Sequence, residues 1–251
     1  MCVACEFKLR PNVSDDDGAH LKVQRYDRLE SRYITTGDFS ALQEMSTEYP
    51  IETRTLIEKM LQLGKVDDSS MNTKFLRLFQ DSTLQALVSD VEAEYANMDD
   101  INEQLSHAFK NLREWIPSIP VPKFYAQIGA LDQSIIVGDN SIGISLDKYM
   151  GKDYPLYKKY YSDVDVMTMT RNYIVPDCIT FYLLSLYPIE NYESLTQQER
   201  DLHMAKVMWV TNKAIGKNVF ENKYIKQVDN FMKSNAKESI ASMLMNNDIK
   251  F

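Results

Sequence analysis

Apolar residues recur at helical spacing along most of this chain. Leu21, Tyr26, Leu29 and Tyr33 open the pattern, which stops at the turn sequence Thr36-Gly37-Asp38. A second helix is expected over 39–45. A third is expected over 51–63, with Leu56, Met60 and Leu63 on one face and Gly64 at its C′ position. Asn72 or Thr73 is placed to cap a short helix carrying Phe75, Leu76 and Phe79. Ser82-x-x-Gln85 and Asp100-x-x-Glu103 have the spacing of reciprocal caps, so each opens a helix. In the second of these, Ile101, Leu105, Ala108, Phe109, Leu112, Trp115 and Ile116 form a continuous apolar stripe, ended by Pro117 and Pro120.

The period then changes. Residues 124–128, 134–137 and 142–146 are short, β-branched or aromatic, and separated by turn residues such as Gly138-Asp139-Asn140. They predict a small antiparallel sheet or meander packed on the helices. Residues 149–165 are polar and rich in tyrosine, and predict an ordered loop with short helical pieces. Helical patterning resumes over 173–187, where Pro176 fits a first turn or a kink. Thr196-x-x-Glu199 opens a helix that Gly216 stops, and two more helices are expected over 222–234 and 237–245. The class is α+β, predominantly helical. Residues 1–18, with Pro11, Asn12, Ser14 to Asp17 and Gly18, read as a tether, and 19–251 as one domain.

Composition narrows the function. The chain has 251 residues, enough to bury a sizeable core, with only 8 glycines and 8 prolines, which disfavours a turn-rich all-β fold. The net charge is −8, and no dense Lys/Arg run exists, so nucleic acid is not an expected partner. The longest apolar run, residues 178–187, is too short to span a bilayer, which takes about 18 residues or more. No phosphate-binding glycine motif is present, so no nucleotide is expected.

Candidate chemistry is sparse. The histidines His20, His107 and His203 give no H-E-x-x-H and no i, i+4 pair, so no metal site and no cofactor is expected. His107 is expected to face solvent. His203 shares a helix face with Val207, Val210 and Ala214, and Glu199 lies one turn before it. Most acidic pairs fall at turns or helix starts, where capping explains them. Asp147, after the third β run, and Asp177, after Pro176, are the two that could face a cleft, with a helix-start carboxylate as the default reading of Asp177. Cys178 lies alone in an apolar run and reads as a core residue. Cys2 and Cys5 form a C-x-x-C with no second pair to complete a zinc site. Val3-Ala4-Cys5 resembles the end of a bacterial lipobox. The basic and apolar regions that precede such a motif are not in this sequence; with them, Cys5 would be the first residue of the mature lipoprotein.

Two blocks are more specific. Residues 142–161 read IGISLDKYMGKDYPLYKKYY, and 173–188 read YIVPDCITFYLLSLYP. With the preceding VPKFYAQIGALDQSIIVGD, they resemble the GldB-type gliding-motility lipoproteins of Bacteroidetes, over roughly residues 33–214. The resemblance implies a lipid-anchored, extracytoplasmic protein of the periplasm or outer membrane, with Cys5 as the lipidated residue. It implies association with the gliding machinery and its linked secretion apparatus. It also implies a distant likeness to gluzincin zinc peptidases, in which a small sheet precedes the metal-binding helix. Here that helix carries Pro176, Asp177 and Cys178 and lacks the zinc motif. Longer members have a G-K-x-L-Y-F-type segment where this chain has AKVMWVTNKAIGKNVF, so the C-terminal match is weaker.

Three functions follow from these readings. The first is a non-catalytic envelope lipoprotein that binds other envelope proteins through an exposed apolar or tyrosine-rich patch, touching the membrane only through its lipid. The second is a peptide- or glycan-binding protein that uses a relic peptidase cleft walled by Tyr149, Tyr154, Tyr157 and Tyr173. The third is a divergent hydrolase in which Glu199 and His203 converge with Asp147 or Asp177.

Overall fold

The computed structural model describes residues 20–246. The expected tether, Cys2 and the lipidation residue Cys5 lie outside the described residues. The N-terminal half is a run of helices: α1 (Tyr26–Thr36), α2 (Phe39–Glu48), α3 (Pro50–Arg54), α4 (Met71–Leu78), α5 (Ser82–Glu94) and α6 (Asp99–Trp115). Three strands follow: β1 (Lys123–Gln127), β2 (Ile135–Val137) and β3 (Ser141–Ser145). The remainder is α7 (Ile174–Leu186), α8 (Gln197–Ile215), α9 (Lys223–Ser234) and α10 (Ile240–Met245). The α+β, mainly helical class therefore holds, and one continuous apolar core runs from Val23 to Leu244.

The caps explain where the helices start. Thr196 and Glu199 form the reciprocal box that opens α8, and Gly216 closes it in the left-handed conformation. At α5 the cap is Asp81 rather than Ser82. Its Oδ1 accepts from the amides of Thr83 (2.8 Å) and Leu84 (3.2 Å), while the Gln85 side chain turns back to the Phe79 carbonyl. A carboxylate serves both the free amides and the positive end of the helix dipole. At α6, which begins one residue early, Asp100 pairs with Arg171 at 2.6 Å instead of serving as a cap.

The expected helix over 51–63 is also altered. After α3 the chain widens into a π-helical turn, Thr55–Met60, which buries Leu56, Ile57 and Met60 together. That turn ends the helix before Leu63, so Gly64 is not its C′ residue. Gln62 takes a left-handed φ of 51° just beyond it.

The sheet differs from an antiparallel meander. Its order is β1-β3-β2, with β2 and β3 antiparallel and β1 parallel to β3. The hairpin turns at Gly138-Asp139-Asn140 as expected. The chain between β1 and β2, however, crosses past the end of β3 and places β3 in the centre. The outer edge of β1 is covered by residue 24: the Gln24 amide donates to the Phe124 carbonyl and its carbonyl accepts from the Ala126 amide, both at 2.8 Å. Helix α1 packs on β1, α7 packs on β2 and β3, and α8 touches α6, α7, α9 and α10.

Gly143 sits in the central strand directly opposite Tyr125. A Cβ there would lie 2.5 Å from the Tyr125 ring carbon and hydroxyl. Tyr125 is itself only 3% exposed, so its ring has little room to yield. We predict that Gly143→Ala destabilises the fold by about 1–3 kcal/mol, an overpacking penalty. Thermal denaturation checks this, and an unchanged melting temperature would refute the packing described.

Candidate functional site

The crossing segment, residues 128–134, is held by two buried carboxyl groups. Asp147 lies on the short turn Leu146–Lys148 that follows β3 and is inaccessible to solvent. Its oxygens accept from the amides of Gly129 (2.8 Å) and Leu131 (2.6 Å). Glu30, on α1 and equally buried, accepts from the amide of Ile128 at 2.7 Å through Oε2. Its Oε1 has no hydrogen-bond partner among the described residues. Between these anchors Ala130 and Leu131 are both left-handed, with φ of 50° and 67°. Neither is glycine, so the conformation costs about 1–2 kcal/mol per residue and persists because the carboxyl groups hold the amides. Burial pushes both acids above the usual carboxylate range, opposed at Asp147 by the two amide bonds.

Tyrosine hydroxyls extend this anchor outward. Tyr157 donates to the Asp147 carbonyl at 2.6 Å and accepts from the Met150 amide at 2.9 Å. Tyr161 donates to the Leu131 carbonyl at 2.7 Å and accepts from Lys148 Nζ at 2.8 Å. Tyr95, from just past α5, donates to the Tyr149 carbonyl at 2.6 Å. Tyr154 donates to Asp90 of α5 at 2.8 Å, and its ring stands edge-on to Tyr157 at 5.2 Å. These ties hold a surface loop, residues 150–170, whose ends meet in a Met150–Thr170 bridge and a Gly151 amide to Met169 carbonyl bond. At its tip Tyr160 (66% exposed), Val164 (80%) and Met167 (56%) point their apolar surface at solvent.

Asp177 lies in the first turn of α7, largely buried, and accepts from the Tyr149 hydroxyl at 2.8 Å. Burial lifts its carboxyl to about 6, the Tyr149 hydrogen bond acting in the opposite direction. The eight residues singled out from the sequence thus fall in three places. Asp147, Tyr149, Tyr154, Tyr157 and Asp177 belong to one connected network, in which Tyr149 and Tyr157 are buried and their hydroxyls engaged. Tyr173 packs its ring near Phe220 and lines a hollow of about 410 Å³ with Gln104, Asn172, Pro176 and Lys217. Glu199 caps α8, and His203, 5% exposed, lines a separate groove between the end of α7, α8 and α10.

These places are well apart. Helices α7 and α8 run antiparallel with Thr180 against Thr211 at 3.1 Å. Asp177 lies on one side of that contact and His203 on the other, about 16 Å apart along the axes at 1.5 Å rise per residue. Among the described residues no group of three or more His, Cys, Asp or Glu converges to hold a metal ion. Cys178 is buried and free, and burial pushes its thiol up, away from the reactive range. His107 is exposed.

Sequence reasoning missed Glu30, Tyr95 and Tyr161. Glu30 sits in an amphipathic helix as an ordinary polar residue, and nothing local marks it as buried. Its only signal is that Tyr26, Leu29, Tyr33 and Ile34 crowd the same helix face.

By fold and site this is a helix-rich α+β domain whose characteristic block builds an internal clasp and an anchored, exposed loop. The chain belongs to the family of gliding motility protein GldB, which it matches over residues 6–224. It is therefore a gliding-motility-associated protein. No curated protein and no solved structure matches it. Among the described residues no helix is long and apolar enough to cross a membrane.

The two buried acids predict opposite outcomes on substitution. Asp147→Ala strips two amides of their acceptor and is expected to cost about 3 kcal/mol, at about 1–3 kcal/mol for each unsatisfied group. Amide exchange at Gly129 and Leu131 should speed accordingly, and unchanged exchange would count against the clasp. Glu30 has a folded pKa above its unfolded value, so its contribution is fully present below the ordinary glutamate range and is lost as pH rises. Glu30→Gln keeps the acceptor for Ile128 and cannot ionise. In urea denaturation from pH 4 to 8, the variant should gain on the parent as pH rises. A pH-independent gap would show that Glu30 does not titrate this way.

Proposed function

We propose that this chain is a non-catalytic, lipid-anchored protein of the cell envelope that works by binding another envelope protein through the tip of the 150–170 loop. The observation that carries the reading is the pairing of a strongly anchored loop with unburied apolar side chains. Tyr157 and Tyr161 fix its root to Asp147 and Leu131, while Tyr160, Val164 and Met167 remain in water. A pre-ordered surface loses little conformational entropy on binding, and exposed apolar groups on it gain from burial. The first part of the loop, residues 150–161, lies in the block 142–161 that carries the resemblance to the family, and Val164 and Met167 follow it.

Three further points support the reading. Tyr149 and Tyr157 are buried inside the network, so they do not serve as walls of an open cleft. Glu199 and His203 lie away from Asp147 and Asp177, which leaves a convergent acid–histidine site without its members. The family's designation as lipoproteins agrees with an anchor at Cys5, residues 1–18 acting as the tether and the domain held outside the cytoplasm.

The test is in-cell photo-crosslinking from position 164 in the full chain, compared with the same probe at the exposed Ile51. Position 164 should give a discrete protein adduct that is lost in a Tyr160→Ala/Met167→Ala background of unchanged melting temperature. No adduct, or the same adducts from both positions, would refute the docking surface. In the same cells Cys5→Ser should move the protein out of the membrane fraction; retention there would refute the anchor. Purified protein carrying stoichiometric zinc would overturn the non-catalytic reading.

A further inference from the structure

One of the ties at the root of the 150–170 loop is the hydrogen bond from the Tyr149 hydroxyl to Asp177. Tyr149 immediately precedes the Met150–Thr170 bridge that closes the loop. Its ring is buried, its carbonyl is held by Tyr95, and its hydroxyl donates to Asp177 at 2.8 Å. Asp177 has no cation within salt-bridge distance among the described residues. Two cations on the packed elements, Arg171 and Lys213, are engaged elsewhere. Arg171, on the turn before α7, is bound to Asp100 of α6 and lies over the Tyr95 ring. Lys213 of α8 pairs with Asp229. β2 and β3 contribute no charged residue. The titratable groups acting on Asp177 and Tyr149 are each other and the Cys178 thiol.

A largely buried carboxyl with one hydroxyl donor and no cation is stable as the neutral acid and poorly solvated as the anion. We propose that Asp177 is a proton-sensitive clasp on the root of the 150–170 loop, closed when its carboxyl is neutral and loosened when it ionises. Opening the root exposes Asp177 to water, where its affinity for the proton falls to the ordinary carboxylate value. Proton release is therefore coupled to opening. With the closed-state value at about 6, against about 3.9 in water, ionisation shifts the equilibrium toward the open root by about fiftyfold between pH 4 and pH 7. The direction is opposite to that of a carboxylate held by a cation. The functional meaning, a docking loop better ordered in mildly acidic surroundings, rests on the reading of the loop as a docking surface.

The experiment is hydrogen exchange of the loop amides in the full chain from pH 4.5 to 8, corrected for intrinsic exchange, in the parent, Asp177→Asn and Tyr149→Phe. In the parent, protection at Gly151 and Tyr157 should fall by tens of fold across this range. It should stay flat in Asp177→Asn, which keeps an acceptor for Tyr149, and be low at every pH in Tyr149→Phe. Amides of Gly129 and Leu131 report Asp147 separately and control for it. A parent profile without pH dependence, or a wild-type profile in Asp177→Asn, overturns the clasp. Where the variant does not fold, the carboxyl carbon of Asp177 is titrated by NMR in the parent, and no inflection between pH 5 and 7 overturns it. Exchange is read without any partner, so failure of the docking surface leaves this result untouched, and failure of the clasp leaves the cross-linking result untouched.

Discussion

The fold turns on two carboxyl groups that hold the backbone of residues 128–131. To place β3 between β1 and β2, the chain must cross the end of the sheet in a few residues. That crossing presents amides to the interior, where each unmet donor would cost about 1–3 kcal/mol. Asp147 and Glu30 accept them, and the left-handed pair Ala130-Leu131 becomes the conformation that satisfies those bonds. The acids reach this point from the far end of β3 and from α1, so the same bonds that shape the loop also join the sheet to the helical layer.

Residues 147–161 take on a physical meaning in this setting. Asp147, Tyr149, Tyr157 and Tyr161 are consecutive anchors of one hydrogen-bonded structure, and Gly151, with φ of 104°, supplies the bend that starts the loop. A chain with 15 tyrosines uses many of them as rigid posts, ring in the core and hydroxyl on a backbone carbonyl or a carboxylate. At the loop tip Tyr160, Val164 and Met167 are left with apolar surface in water. Interior anchoring and exterior exposure are thus parts of one arrangement, in which the buried acids and hydroxyls keep the tip ordered.

Other polar features that look like chemistry have structural work. Asp81 and the Thr196–Glu199 pair cap helices, Asp100 holds Arg171, and Asn212 closes the turn after α8 through the amides of Val219 and Phe220. Asp177 stands apart from these exposed or paired acids, because it is mostly buried and meets only a hydroxyl. Its environment, not its position at a helix start, sets its behaviour: a first-turn carboxylate in water would be favoured in its charged form by the helix dipole.

Much of this was legible in the sequence. Apolar spacing placed the helices and three strands within a few residues, and Thr196-x-x-Glu199 and Gly216 marked both ends of α8, because caps and periodicity are local physics. Residues 149–165 read correctly as an ordered loop, and Asp147 and Asp177 stood out by position. Local pattern could not distinguish Asp81 from Ser82 as a cap or foresee the π-helical turn at Thr55–Met60. Nor could it order the strands, since period-two alternation is the same in parallel and antiparallel partners. Only tertiary structure decided that β1 lies parallel to β3, that Glu30 is buried, and that Tyr149 meets Asp177. Those outcomes depend on desolvation and on partners distant in the chain, and neither is written into the neighbourhood of any single residue.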